Sequence, residues 1–255
     1  MKKLFASLLA AAMLLSCSAC SSGSSDDKLT IATSPDFPPF ESLASDGSVE
    51  GIEIDIMKLV AEKLDKELVI EQIDFDSVLP GVQAGKYDVG VSGISVTPER
   101  EKNTLFTDPY CLAAQAIVVV KDSPIQGKAD LTGKKIAVQT GTTAESFCME
   151  NGYDVSSFVA NNDAQSALLS GKVDAWVIDD LTAADMVKAY DAENPGQLII
   201  LDEALTTEPY AFAFKLGNDE LVDDVNEVIA ELLADGTIAS IFEAHDAPYT
   251  APDEQ

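Results

Sequence analysis

The stretch 85–110, GKYDVGVSGISVTPEREKNTLFTDPY, decides how this chain reads. Val89 and Val91 mark a short buried strand that runs into Ser92, Gly93 and Ser95, then into Thr97-Pro98-Glu99-Arg100. Thr97 suits a helix N-cap, and Pro98 falls at the first helical position, where its missing N–H costs nothing. The pattern predicts a helix with Arg100 in its first turn. The helix dipole opposes a cation there, which counts slightly against a purely structural role. A guanidinium fork beside unpaired backbone N–H groups suits a carboxylate. The alternative is a surface arginine paired with a nearby Asp or Glu, and the sequence geometry favours neither.

Working outward, the preceding segment alternates strand and helix signals. Leu29–Thr33 and Glu67–Ile73 read as strands. Between them, Ile52, Ile56, Leu59, Val60 and Leu64 share one helical face. Asp76–Ala84 reads as a short helix closed by Gly85. Downstream, Leu112–Val120 is a long β-branched run between Pro109 and Pro124. A second series follows: strands at 135–139, 155–159, 173–178 and 198–201, helices at 143–150, 163–169 and 181–190. Tyr210–Phe214 reads as a return strand. Asp219–Ala234 is amphipathic, and a last short helix holds Ile238, Ile241 and Phe242. Two α/β sets of similar size predict two lobes rather than one sheet.

The N-terminus reads as an export signal. Lys2 and Lys3 precede an apolar run, Leu4–Leu15, too short to span a membrane. Cys17 and Cys20 follow, and a lipoprotein signal needs a cysteine to become the acylated N-terminus. Cys17 has leucine three residues before it and is preferred. Cys20 has the better Ser-Ala pair and stays an alternative. Residues 18–27 then form a polar tether. The formal charge of −28 excludes a nucleic-acid-binding face. Beyond the tether only Cys111 and Cys148 remain, read as two buried thiols rather than a disulfide framework.

Seven segments carry a resemblance: IATSPDFPPFE (31–41), GIEIDIMKLVAEKL (51–64), FDSVLPGVQAGKYDVGVSGISVTPERE (75–101), FTDPY (106–110), GKKIAVQTGTTAESF (133–147), GKVDAWVIDD (171–180) and FAFKLGNDEL (212–221). In this order and spacing, the mature chain resembles bacterial amino-acid-binding proteins of ABC importers, the family 3 solute-binding proteins. The resemblance implies an α/β, two-lobed periplasmic-binding-protein fold with two crossing hinge strands and a central cleft. Lobe 1 would comprise 28–111 and 207–255, and lobe 2 would comprise 112–206, after a signal peptide at 1–17. It also implies an amino-acid ligand, a membrane permease as partner, a lipid anchor at Cys17 on the outer face of the cell membrane, and a monomer. It implies no cofactor and no metal.

Residue by residue, the resemblance assigns Arg100 to the ligand α-carboxylate. Gly93 and Ser95 hold the α-amino and α-carboxyl groups, and Asp179 receives the α-ammonium. Thr142 and Thr143, after Gly141, form a carboxylate-binding turn. Phe37 and Phe75 sandwich the ligand side chain, which Gln139 and Ser34 face. Many relatives that take cationic or amide side chains carry Asp where Ser34 stands. The substitution removes a counter-charge and tilts the expectation toward neutral ligands, unless Glu41 or Asp36 compensates. Other readings stay open. Phe37 and Phe75 could be core aromatics, and 141–143 a plain turn and cap. Asp180 could take the place of Asp179. Glu53 and Asp55 read as first-turn carboxylates facing a helix dipole. Trp176 reads as core.

Other functions on this fold include prephenate- or arogenate-type dehydratases and ligand-sensing modules. Against an enzyme, the only histidine is His245. The run Gly90-Val91-Ser92-Gly93-Ile94 lacks the last glycine of a nucleophile elbow. No metal spacing, Walker loop or EF-hand loop is present.

Overall fold

The computed structural model describes residues 27–252. The signal segment, Cys17, Cys20 and nearly all of the tether lie outside the described residues. Among the described residues no helix is long and apolar enough to cross a membrane.

Two five-stranded sheets repeat one plan. In the first, the order is Glu67–Gln72, Lys28–Thr33, Val89–Gly90, Ala213–Lys215, Thr104–Phe106. Its first three strands are parallel, and Ala213–Lys215 runs antiparallel to both neighbours. In the second, the order is Asp154–Phe158, Lys135–Gln139, Ala175–Asp179, Gln115–Val120, Leu198–Ile200. Again three strands are parallel, and Gln115–Val120 is antiparallel to the strands beside it. The chain passes between the sheets twice. At the passage, Cys111–Ala113 and Glu208–Tyr210 pair antiparallel, with Tyr210 opposite Cys111.

Three expectations change. The run 112–120 is not one strand: it breaks at Ala114, with Cys111–Ala113 in the passage and Gln115–Val120 in the second sheet. The predicted helix at Arg100 is a single 3-10 turn, Arg100–Lys102. The Thr97 hydroxyl still accepts Arg100 N–H at 3.2 Å, but the residue at the start of the turn is Glu99. The turn stops because Thr104–Phe106 must extend to pair with Ala213–Lys215. Glu53 is not a solvated first-turn carboxylate, since it is fully buried. Asp55 does face out, toward Lys58 and His245.

The amphipathic helix Asp219–Ala234 buries Val222, Val225, Val228, Ile229 and Leu232. Each such side chain contributes about 1.5–3 kcal/mol when removed from water. The last helix, Thr237–Ala244, packs on it and on Ile52–Lys63. Phe242 meets Phe40 edge-on at 6.0 Å, and Phe40 meets Tyr210 at 5.2 Å. This cluster ties the C-terminal helix to the passage between the sheets. Cys111 and Cys148 are free and buried, and burial pushes the Cys148 thiol up to about 12.

Candidate functional site

In open α/β sheets, a crevice forms where neighbouring parallel strands send their connections to opposite faces, beyond their carboxyl ends. Each sheet here has one such point. In the first sheet, Lys28–Thr33 and Val89–Gly90 end there, delivering 34–37 and 92–95. In the second, Lys135–Gln139 and Ala175–Asp179 end there, delivering Gln139–Thr143 and Asp179. The two points face each other across one cleft.

From the first side, Gly93 has φ of +52°. A Cβ there would lie 2.5 Å from a Phe37 ring carbon, so the loop needs glycine both for its backbone and for space. The turn points the Ser95 carbonyl at Arg100, whose Nη1 donates to it at 2.8 Å. Arg100 Nη2 donates to the Gly141 carbonyl at 3.1 Å, on the other side of the cleft. The Phe75 ring lies 5.9 Å from the guanidinium carbon. Burial pulls the guanidinium below its ordinary range, while Glu208 and Asp179 act in the opposite direction.

From the second side, Thr142 opens the helix Thr143–Glu150. Its hydroxyl accepts Glu145 N–H at 3.1 Å, and the Glu145 carboxylate accepts Gly141 N–H at 2.7 Å. This reciprocal cap fixes the turn that Arg100 reaches. Asp179 is buried and precedes the helix Asp180–Asp191 without capping it by its side chain. Its Oδ1 accepts Tyr210 O–H at 2.5 Å and Gln115 Nε2–H at 2.9 Å. Burial, then the nearby Glu208 charge, pushes its carboxyl up to about 7. Asp180 instead turns away, accepting Leu181 N–H at 2.8 Å and Ala114 N–H at 3.3 Å.

Phe37, Phe75, Gly93, Ser95, Arg100, Gln139, Thr142, Thr143 and Asp179 all line one narrow cavity between the sheets. Ser34 is not among the lining residues; it is buried and donates its hydroxyl to Asp36 Oδ1 at 3.0 Å. Asp36 links the two sides: Gln139 Nε2 donates to it at 3.2 Å and Asn161 N–H at 2.7 Å. Trp176 is wholly buried on its strand.

Two site carboxylates escaped the sequence reading or received only a passing mention. Glu208 is buried on the passage strand and was not anticipated. Its Oε2 accepts Ser95 Oγ–H at 2.5 Å and Thr143 Oγ–H at 2.7 Å, one from each side; its Oε1 accepts Thr206 Oγ–H at 2.8 Å. No local pattern marks it, since the partners that join the two sides, Ser95 and Thr143, lie far away in the chain. Asp36 was weighed only as a compensating charge. The cleft is closed in this structure, with Arg100 on Gly141 and Asp36 on Gln139 and Asn161.

Residues 29–245 match the model of the bacterial extracellular solute-binding proteins, family 3. The chain belongs to that family. Among curated relatives, ABC transporter arginine-binding protein 1 of Escherichia coli K12 is 31% identical over 249 residues, covering 94% of this chain and 97% of the relative. Among solved structures, a mutant of ArgBP from T. maritima superposes with a TM-score of 0.80 at 37% identity, covering 87% of this chain and 96% of that one. The ancestral amino-acid-binding protein AncCDT-1, a precursor of cyclohexadienyl dehydratase, superposes with a TM-score of 0.78 at 33% identity, covering 86% and 95%. Members of this solute-binding family thus share the two-lobed plan described above.

Proposed function

We propose that this solute-binding protein captures an amino-acid zwitterion in the cleft and delivers it to an ABC-transporter permease outside the cytoplasm. The observation that carries the reading is the opposition of Arg100 and Asp179 across one narrow cavity. A zwitterion taken out of water needs a paired cation, a paired anion and hydrogen-bond donors, because an unpaired buried charge is costly. Arg100 takes the α-carboxylate with Thr142 and Thr143, and Asp179 takes the α-ammonium with Gly93 and Ser95. Phe37 and Phe75 flank the side chain, and Gln139 and Ser34 face it. Lobes made of 28–111 with 207–255, and of 112–206, would then close by hinge motion about the paired passage strands. A ligand that bridges the lobes favours the closed form by its differential affinity for it.

The charge balance around the cavity favours a cationic side chain. Arg100 stands against Asp36, Asp179 and Glu208. The ligand's α-carboxylate matches Arg100 and its α-ammonium matches Asp179, which leaves negative charge unanswered. Ser34 lacks the counter-charge found in many relatives, but Asp36 supplies one two residues on and is bonded to Ser34 and Gln139. The neutral-ligand preference drawn from Ser34 alone therefore gives way to arginine or a similar cation. The arginine-binding names of similar proteins support this choice.

Calorimetric titration with L-arginine tests the site. Arg100→Ala should weaken binding at least about tenfold, since losing one partner of a desolvated charge pair costs on the order of 2–5 kcal/mol. Circular dichroism should show an unchanged fold. Wild-type affinity in Arg100→Ala would remove the assignment.

The reading as a binding protein rather than an enzyme rests on the binding names of its relatives. The kinship to a dehydratase precursor makes prephenate the substrate to try, and turnover would reject the reading. We also propose that Cys17 is acylated and anchors the chain to the outer face of the membrane as a monomer. Mass spectrometry of the membrane-bound protein should find the lipid on Cys17, and Cys17→Ser should release the protein. A lipid on Cys20, or on neither, would reject this, and a dimer in light scattering would reject the monomer.

A further inference from the structure

Behind the cavity wall, inside the first lobe, two carboxyl groups lie together with no solvent exposure: Glu41 and Glu53. Glu53 Oε2 accepts the Gly93 N–H at 2.9 Å, and its Oε1 accepts Tyr110 O–H at 2.6 Å. Glu41 Oε1 accepts Ser92 Oγ–H at 2.8 Å, and Ser92 Oγ in turn accepts the Ser34 N–H at 3.1 Å. Glu41 Oε2 receives no donor. Among the described residues, no lysine, arginine or histidine makes an ion pair with either carboxyl. The titratable groups around the pair are Tyr110, Cys111 and Asp36, none of which supplies positive charge.

Two adjacent carboxylates cannot both ionise in such a place, and one shared proton resolves the conflict. The oxygen available to carry it is Glu41 Oε2, which then donates to Glu53. Burial raises both carboxyls, Glu41 the further; the bond between them adds to the rise at Glu41 and opposes it at Glu53, which fits that direction. Glu53 keeps the charge, with one donor from Tyr110, one from Glu41 and one from the backbone of Gly93.

We propose that Glu53, held by a neutral Glu41, is the positioning residue of the ligand-binding loop 92–95. Its charge-assisted bond to Gly93 N–H fixes the left-handed turn, while Glu41 fixes Ser92 and, through it, the backbone of Ser34. The loop then presents Ser95 to Arg100 and Glu208. A site held this way from behind is stiff without spending any of its ligand-facing donors. The proposal rests on the ligand reading above.

The pair predicts an asymmetry that plain packing does not. Glu41→Gln copies the neutral acid: its oxygen still accepts from Ser92 and its amide still donates to Glu53. L-arginine affinity should stay within about threefold of wild type, because both hydrogen bonds survive. Glu53→Gln removes the charge and sets an NH₂ against either Gly93 N–H or Tyr110 O–H. Affinity should fall at least about tenfold, and hydrogen exchange of 92–95 should quicken. A second measurement needs no variant that could fail to fold. Infrared spectra of the wild-type protein at about pH 8.5, where a group titrating near 7 is ionised, should show a protonated-carboxyl band that Glu41→Gln lacks. Equal affinity losses in both variants, an unchanged Glu53→Gln, or no such band would overturn the proposal. If Arg100→Ala also binds normally, the ligand site itself is wrong; if only Glu53→Gln binds normally, this inference alone fails.

Discussion

Replacing Asp179 by Asn should make the ligand-free protein more stable and bind its ligand less well. Asp179 titrates near 7 in the folded chain against an ordinary 3.8, because it is buried and then because Glu208 repels its charge. Between those values the folded state binds more protons than the unfolded state, so stability falls as pH rises through that window. A gap of about three pKa units corresponds to about 4 kcal/mol once the carboxyl is fully ionised. Asn is neutral, and its Oδ1 can still accept from Tyr210 and Gln115, which now meet at Asp179 Oδ1. At about pH 8, Asp179→Asn should therefore unfold in urea with a free energy up to about 4 kcal/mol higher than wild type. At about pH 4 the gap should shrink below about 1 kcal/mol, because wild-type Asp179 is then neutral when folded. The ligand ammonium supplies the missing counter-charge, so L-arginine should bind wild type about tenfold more weakly at pH 6 than at pH 8. Asp179→Asn should bind weakly with little dependence on pH. Urea titrations followed by circular dichroism, and calorimetry across pH, read both effects. A variant no more stable than wild type at about pH 8, or a gap that does not close in acid, would refute the reasoning.

Gly93→Ala should lose most ligand affinity, because the new methyl group would meet the Phe37 ring at 2.5 Å and the backbone holds φ at +52°; thermal-shift measurements with L-arginine should show little response, and a full response would refute the packing argument. Arg100→Lys keeps the charge but loses the planar fork, so it cannot reach the Ser95 and Gly141 carbonyls together; calorimetry should place it between wild type and Arg100→Ala, and parity with wild type would show that charge alone suffices.

The order of strands and helices was legible because hydrophobic period and turn residues act over a few positions. Gly85 at a helix end and the Asp219–Ala234 stripe are of this kind. The resemblance drawn from the ordered segments named ten ligand-facing residues; nine of them line one space, and Ser34 does not. Local signals also misled where long-range pairing overruled them. The Thr97-Pro98 start is a helix signal, yet the strand at Thr104–Phe106 allows only one 3-10 turn. Glu53 sits three residues before Ile56 and seven before Val60, on the buried face of its helix. That placement was a readable sign of burial, passed over because first-turn acids are ordinarily solvated.

By itself, the sequence determined the two α/β series, the family, and the placing of Asp179 at the end of its strand. These depend on residue types repeated at short spacing. The tertiary structure alone decided which acids meet: Glu208 with Ser95 and Thr143, Asp36 with Gln139 and Asn161, Glu53 with Gly93, and Asp179 rather than Asp180 in the cavity. These contacts join segments far apart in the chain, and a carboxylate's role depends on its donors and its access to water. The distant donors are not carried by the carboxylate's own neighbours in sequence.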